Sequence, residues 1–415
     1  MALEQKLGDA VVVLFGTKEG QGSESFHSFR QENYFYYLSG YDEPDAVLIL
    51  APPDWNREAL LHEQAVEVRR ELLFLPPRNL EEERWRGPRP DPLDTAISQE
   101  TGFPSVKTAE QFAETFQRLA ERHKAVYTLF PERHASEAEK VRLNADIDRL
   151  RKLLPTAEIK DVRPALNSLR QVKSPSELKL IEQATGCTMK GLQAAGRELH
   201  QDLFEYEIAA LLKYTFERNG CRGLAFDPIV GSGIRSTILH YTKSSARMES
   251  GDLVVVDVGA EYAHYASDVT RTLPVNGRFT PRQREVYEIV LGAQNAAIQA
   301  IKPGMKITGR TSDSLYQIAY NYINTHGKDL HGAPLGKYFT HGLSHHVGLD
   351  VHDPGEFGRP LEPGMVITIE PGIYLPEEKI GVRIEDMALV TKDGYVLLTG
   401  KLPREPDEIE NWLKK

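Results

Sequence analysis

The chain has 415 residues, with 60 Asp and Glu against 50 Lys and Arg, and its formal net charge of −10 gives no electrostatic reason to expect nucleic acid as a partner. That length is long for one hydrophobic core and suits two domains. No stretch, MALEQKLGDA at the N-terminus included, has the apolar run of a signal peptide or membrane span, and Cys187 and Cys221 are the only cysteines, so we expect no membrane association, no disulfide framework and a reduced, cytoplasmic setting.

From the N-terminus, strand-like runs (Val11 to Phe15, Ala46 to Leu50, Glu71 to Leu75, Ala125 to Leu129) alternate with helix-like ones (Ala109 to Arg122, Ser136 to Leu154). This alternation predicts an α/β domain over residues 1–165, with no metal or nucleotide motif in it. Residues 166–415 form the second domain. There, Ser174-Pro175-Ser176-Glu177 is a capping box that opens a helix toward Leu199, and Asp202 with Glu205 opens another that stops at Asn219-Gly220. Gly231-Ser232-Gly233 lacks the strand-to-helix frame of a nucleophile elbow, which leaves Ser232 a loop residue.

An apolar β-branched run, Leu253 to Val256, then leads to Asp257, and a return strand carries Asp268. A hairpin over 253–272 sets the two acids symmetrically about Tyr262 and Ala263, as near cross-strand neighbours. Thr280-Pro281-Arg282-Gln283 repeats the capping box, its helix ends before the plain turn Lys302-Pro303-Gly304, and another helix runs from about Arg310 to His326. HGLSHHVGLDVHD (His341 to Asp353) follows. After it, Val366 to Ile369 leads to Glu370, with Glu385 on the return strand beyond a turn at Pro376 to Glu378. Two helices, an irregular His-bearing stretch and an acidic hairpin thus occur twice. The pattern predicts an α+β domain of pseudo-two-fold plan, its curved antiparallel sheet covered by helices outside and its acids converging on the concave face.

Carboxylates at the ends of buried strands are costly without partners, and none of the four has a basic neighbour beside it. Like charges set across a hairpin repel unless a cation lies between them. A formal charge of about −4 is balanced by two divalent ions, the charge logic of a dinuclear hydrolase. Oxygen and imidazole donors suit Mn, Co, Fe or Zn. His345 and His346 are equal candidates for the imidazole ligand on this reading, pointing to opposite sides of an extended segment. Arg383 shares a strand face with Glu385, as counterion of the acids or as a contact to substrate, whereas Arg271 sits at odd spacing from Asp268 and faces away.

The contexts of these residues, VDVG at Asp257, DVTR at Asp268, GLSHHVG at His345, EPG at Glu370 and RIED at Glu385, resemble the five-ligand pattern of the pita-bread metallopeptidases, which include aminopeptidase P, prolidase and methionine aminopeptidase. The resemblance runs from about Ser174 to the C-terminus. HGLSHHVGLDVHD, ILHYT around His240, RTLPVNGRFT and FRQENYFYYLSGYDEPDAVLIL (Phe29 to Leu50) are most similar to the aminopeptidase P branch; the short Leu375 to Ile380 connection resembles prolidases as much. This likeness implies metal ligands Asp257, Asp268, His345, Glu370 and Glu385, with two divalent ions, Mn first. It implies Glu370 as proton relay, His352 at the oxyanion, and His240, His341 and Arg383 around a substrate whose second residue is proline. It also implies a homo-oligomer, dimer or tetramer, in which Trp85 meets a neighbour's pocket, the equal alternative being a plain surface or core Trp. Two alternatives stand beside the aminopeptidase: a prolidase limited to Xaa-Pro dipeptides, and a non-catalytic binding protein on the same fold.

Overall fold

The structure is a computed structural model and describes residues 2–18, 29–52, 71–120, 123 and 125–414. The chain divides into two compact units, Met1–Leu169 and Arg170–Lys415.

In the first unit the strands β1 (Ala10–Phe15), β2 (Val47–Leu50), β3 (Glu71–Leu75), β4 (Ser105–Thr108), β5 (Ala125–Thr128) and β6 (Glu158–Asp161) form one mixed sheet in the order β4-β3-β2-β1-β5-β6. All six residues of β1 are buried. Val12 and Leu14 join one core and Val11, Val13 and Phe15 another, so apolar layers cover both faces and the strand reads as a continuous hydrophobic run. The sequence reading misses β4 and β6 because both are edges: SVKT and EIKD carry no apolar run and are only half-buried. The helices are α1 (Ala2–Leu7), α2 (Asn33–Ser39), α3 (Leu80–Arg86), α4 (Ile97–Thr101), α5 (Phe112–Ala120), α6 (Glu137–Leu153) and α7 (Arg163–Arg170). Arg122, the expected end of the helix that α5 represents, lies outside the described residues.

The second unit repeats a plan of two helices and a broken hairpin. Helices α8 (Pro175–Glu198) and α9 (Glu205–Arg218) precede strands β7 (Gly223–Leu224), β8 (Ile229–Ser232), β9 (Leu253–Val258), β10 (Ala260–Tyr262), β11 (Tyr265–Ala266) and β12 (Val269–Pro274). Helices α10 (Pro281–Gln299) and α11 (Leu315–His326) precede β13 (Val366–Ile369), β14 (Gly372–Leu375), β15 (Ile380–Arg383), β16 (Asp386–Val390) and β17 (Tyr395–Leu397), and α12 (Pro406–Trp412) closes the chain. Both expected capping boxes form, at Ser174 and Thr280. Two helix starts differ from expectation. Asp202 has φ 77° and the N-cap falls on Phe204, whose N–H is taken by Glu207; α11 starts at an N-cap Ser314 rather than near Arg310. One apolar core of residues from both repeats joins the helices to the strands.

Cys187 of α8 and Cys221, just beyond α9, are joined by a disulfide. The expectation of unbridged thiols is corrected here, because α8 and α9 pack together and the chain turns at Gly220 (φ 87°). The bridge removes the cysteine argument for a reducing compartment. Among the described residues no helix is long and apolar enough to cross a membrane.

The first hairpin's register differs from expectation by two residues. Its turn falls on Ala263 and His264 (φ 46° and 66°), the positive-φ pair of a two-residue hairpin turn, so Asp257 pairs with Thr270 and Val258 with Val269. The same register beyond the turn, Tyr262 with Tyr265, sets Asp268 opposite Gly259 in a gap between two ladders. Only glycine fits there, since a Cβ on Gly259 would lie 1.8 Å from the Ser267 carbonyl oxygen. The second hairpin is broken likewise: Ile369 pairs with Asp386 on one side and Gly372 with Arg383 on the other, which sets Glu370 opposite Glu385 in the gap. At this second gap backbone bonding is diverted, with Glu370 N–H donating to Leu343 O (2.9 Å) and Glu385 N–H to Thr270 O (3.1 Å). These two bonds stitch the His-bearing segment and the first hairpin onto the second.

Candidate metal centre

Strand periodicity brings the acids together. Asp257 and Thr270 are register partners, and Asp268, two residues before Thr270, shares their face. Thr270 Oγ1 donates to Glu385 Oε2 at 2.7 Å, tying the hairpins through side chains as well. Thr368, two residues before Glu370, donates to Glu370 Oε1 (3.1 Å) and accepts from His345 N–H (3.1 Å). His345 turns Nδ1 to the His346 carbonyl (3.1 Å), and its Nε2 faces Asp268 Oδ2 at 3.4 Å and Glu370 Oε1 at 3.3 Å. Donor atoms of Asp268, His345 and Glu385 all lie within 4.8 Å of one another. His346 points the other way, buried against the Gln171 amide at 3.3 Å.

The acids are strongly perturbed. Burial pushes Asp268 well above the usual carboxylate range, and Asp257 and Glu370 add repulsion. Burial also raises Glu385, with Asp268, Glu370 and Asp257 pushing the same way, and it raises Glu370 despite the opposing pull of His345 and Arg383. Arg383 donates to Asp257 Oδ2 (2.7 Å), the Tyr374 hydroxyl (2.9 Å) and Thr270 Oγ1 (3.3 Å). Of the two uses considered for it, the geometry favours counterion. Arg271 turns away from Asp268 and pairs with buried Asp386 at 2.8 Å.

Among the described residues, three buried oxygens, Asp257 Oδ1, Asp268 Oδ1 and Glu385 Oε1, meet no hydrogen-bond donor. Such atoms cost free energy unless they are protonated or meet a cation. Two of these residues, Asp268 and Glu385, cluster with His345, whose Nδ1 is already committed to the His346 carbonyl. The donor set therefore fits a divalent ion held by oxygen and nitrogen.

Around the acids stand the other expected residues. The His352 ring lies 4.2 Å from that of His345, and burial lowers its pKa to about 4. His341 is lowered to about 4 by burial and by Arg383. Its Nδ1 donates to Gly342 O (2.7 Å) and its Nε2 accepts from the Tyr374 hydroxyl (2.9 Å), so both ring nitrogens are used. Both imidazoles are neutral near pH 7. His240 is exposed, and its charge bears on both His341 and His352.

Sequence reasoning missed Thr270, Thr368 and Tyr374. The first two were legible, since each stands two residues from an acid on a strand and so shares its face. Tyr374 stands four residues from Glu370, but the ladder gap between them hides the periodicity.

The sequence profile of metallopeptidase family M24 matches residues 179–392, and that of the aminopeptidase P N-terminal domain matches residues 1–127. The chain is 35% identical to Xaa-Pro aminopeptidase of Haemophilus influenzae, over 97% of this chain and 92% of that protein. It is 45% identical to Xaa-Pro dipeptidase of Pyrococcus horikoshii over 62% of this chain and 71% of that protein. Solved aminopeptidase P from Escherichia coli with the inhibitor Pro-Leu superposes with a TM-score of 0.83 at 32% identity, covering 99% of this chain and 95% of that one. The chain belongs to metallopeptidase family M24, with the α+β pita-bread architecture and a divalent metal cofactor. It is a metallo-aminopeptidase that carries the aminopeptidase P N-terminal domain.

Proposed function

We propose that this enzyme removes the N-terminal residue from peptides whose second residue is proline, using two divalent ions, Mn first, held by Asp257, Asp268, His345, Glu370 and Glu385. The observation that carries the reading is the cluster of Asp268, His345 and Glu385, whose donor atoms lie within 4.8 Å of one another, together with the buried oxygens of Asp257, Asp268 and Glu385 that meet no donor among the described residues. When bound, the ions supply a hydroxide near neutral pH and polarise the scissile carbonyl.

The chain's own residues do the rest. Glu370 is more basic than an ordinary carboxylate because it is buried, which suits it to take the attacking water's proton and pass it to the leaving nitrogen. His352 is neutral and presents an N–H donor to the developing oxyanion. His341, with both nitrogens engaged, is a wall of the substrate site rather than a proton carrier, and His240 forms its rim. Arg383 holds Asp257 in place. A peptide nitrogen from proline carries no N–H, so nothing in the site needs to read a donor there. Trp85, 86% exposed on α3, supports a homo-oligomer, dimer or tetramer, in which it is covered.

A prolidase is the second reading, favoured by the Pyrococcus relative's higher identity, although that match spans only 62% of the chain. Incubation with Mn or Co and paired Xaa-Pro and Xaa-Pro-Yaa peptides separates the two. We expect the longer peptides to be cleaved at least as well; turnover confined to dipeptides would establish the prolidase. No turnover of either with metal present would point to a binding protein.

A further inference from the structure

The two ladder gaps at which acids are displayed are each filled by one buried polar side chain from a helix. In the second hairpin it is Gln294 of α10, fully buried, whose Nε2 donates to Ile369 O (3.0 Å), Ile384 O (3.1 Å) and Asp386 Oδ2 (3.0 Å). Those carbonyls belong to the residues just before Glu370 and Glu385. With both glutamate N–H groups diverted elsewhere, the side-chain amide supplies the donor that the ladder lacks. Arg404 donates to its Oε1 at 3.3 Å, which fixes the amide's orientation.

In the first hairpin the counterpart is Thr188 of α8, also fully buried. Its Oγ1 accepts from Ala260 N–H at 2.8 Å and meets Ser267 Oγ at 2.7 Å, so it touches both sides of the gap that displays Asp268. Both residues lie fourteen positions beyond their helix's N-cap, Ser174 for Thr188 and Thr280 for Gln294. The duplicated plan therefore has a duplicated device.

We propose that Thr188 and Gln294 are positioning residues for the metal centre, each filling the gap in its hairpin so that the displayed acids keep their spacing. The inference rests on reading Asp268, Glu370 and Glu385 as metal ligands. Its test uses the full-length Thr188→Val and Gln294→Met variants, with Gln294→Asn as a smaller change that keeps the amide but shortens its reach. Co(II) affinity is measured by competition with a chelator, together with the visible spectrum of the Co(II) form and the thermal midpoint. Val290→Ala, at a buried apolar position of α10, controls for loss of packing alone.

Outer partners of metal ligands are generally worth about 10- to 100-fold in metal affinity, so each gap variant is expected to weaken Co(II) binding by that factor and to alter the spectrum. Val290→Ala is expected to lower the midpoint and leave affinity unchanged. Gap variants that fold, lose thermal stability as the control does and bind Co(II) like the wild type would overturn the proposal while leaving the site reading intact. A wild-type chain with no saturable Co(II) binding would overturn both.

Discussion

Asp268→Asn is expected to lose metal and activity together while making the metal-free protein more stable. The side chain keeps its shape and loses its charge. In the metal-free chain Asp268 is buried, repelled by Asp257 and Glu370, and has a partnerless oxygen, so its ionised form works against folding. Neutralising it relieves that repulsion and raises the thermal midpoint of chelator-treated protein near pH 7. The same change removes a ligand. Charge stabilisation by a metal is worth several kcal/mol in the transition state, and about 4 kcal/mol corresponds to about a thousandfold in rate. We therefore expect kcat/KM for an Xaa-Pro-Yaa peptide to fall by about a thousandfold or more, and added metal to stabilise the variant less than the wild type. Calorimetric scans with and without metal, beside peptide kinetics, check both signs. A metal-free variant less stable than the wild type would show that Asp268 is held by something other than a cation.

Asp353→Asn carries the second large effect, this time on folding. Asp353 is 3% exposed and binds Arg170 at 2.7 Å and Lys173 at 3.0 Å, both of them buried. Arg170 also reaches the partly exposed Asp350 at 2.6 Å, whereas among the described residues Asp353 is the carboxylate paired with Lys173. Removing it leaves a buried ammonium without its counterion, at a cost of about 3–5 kcal/mol, or roughly 10 °C in the thermal midpoint for a unit of this size. Burial alone would raise the Asp353 pKa, but Lys173 and Arg170 outweigh it and hold the carboxyl below its usual range. A depressed carboxylate contributes stability above its unfolded pKa and loses it as pH falls toward the folded one. The gap between wild type and variant should accordingly be full near pH 7 and shrink below about pH 4. Because Asp353 also accepts from Asp350 N–H and bridges to His346, it holds the segment bearing His345 and His352, so kcat should fall as well. Equal midpoints at pH 7 would contradict this reading.

Much of the site could be read from the sequence because its chemistry requires unusual residues in ordinary places. A carboxylate at the end of LVVV or VITI has no bland explanation once the opposite strand carries another. The second hairpin's register was correct since its turn, ending at Lys379 with φ 54°, is centred where composition places it. The first was displaced because Ala263 and His264 supply the positive-φ pair, and neither residue type announces that conformation. Edge strands β4 and β6 were hidden by their polar composition. Gln294 and Thr188 could not be found at all, since a polar residue within a helix gives no sign of the distant backbone it will meet. The Cys187–Cys221 bridge was missed for a related reason: the pairing depends on how α8 and α9 pack, which spacing does not reveal.

The most direct test of the central claim is the number of divalent ions bound per chain, measured by titrating chelator-stripped protein with Mn and following Xaa-Pro-Yaa hydrolysis in the same samples. The account predicts saturation at two ions per chain, with activity rising as the sites fill. Full activity in metal-free protein, or saturation without any peptidase activity, would contradict it.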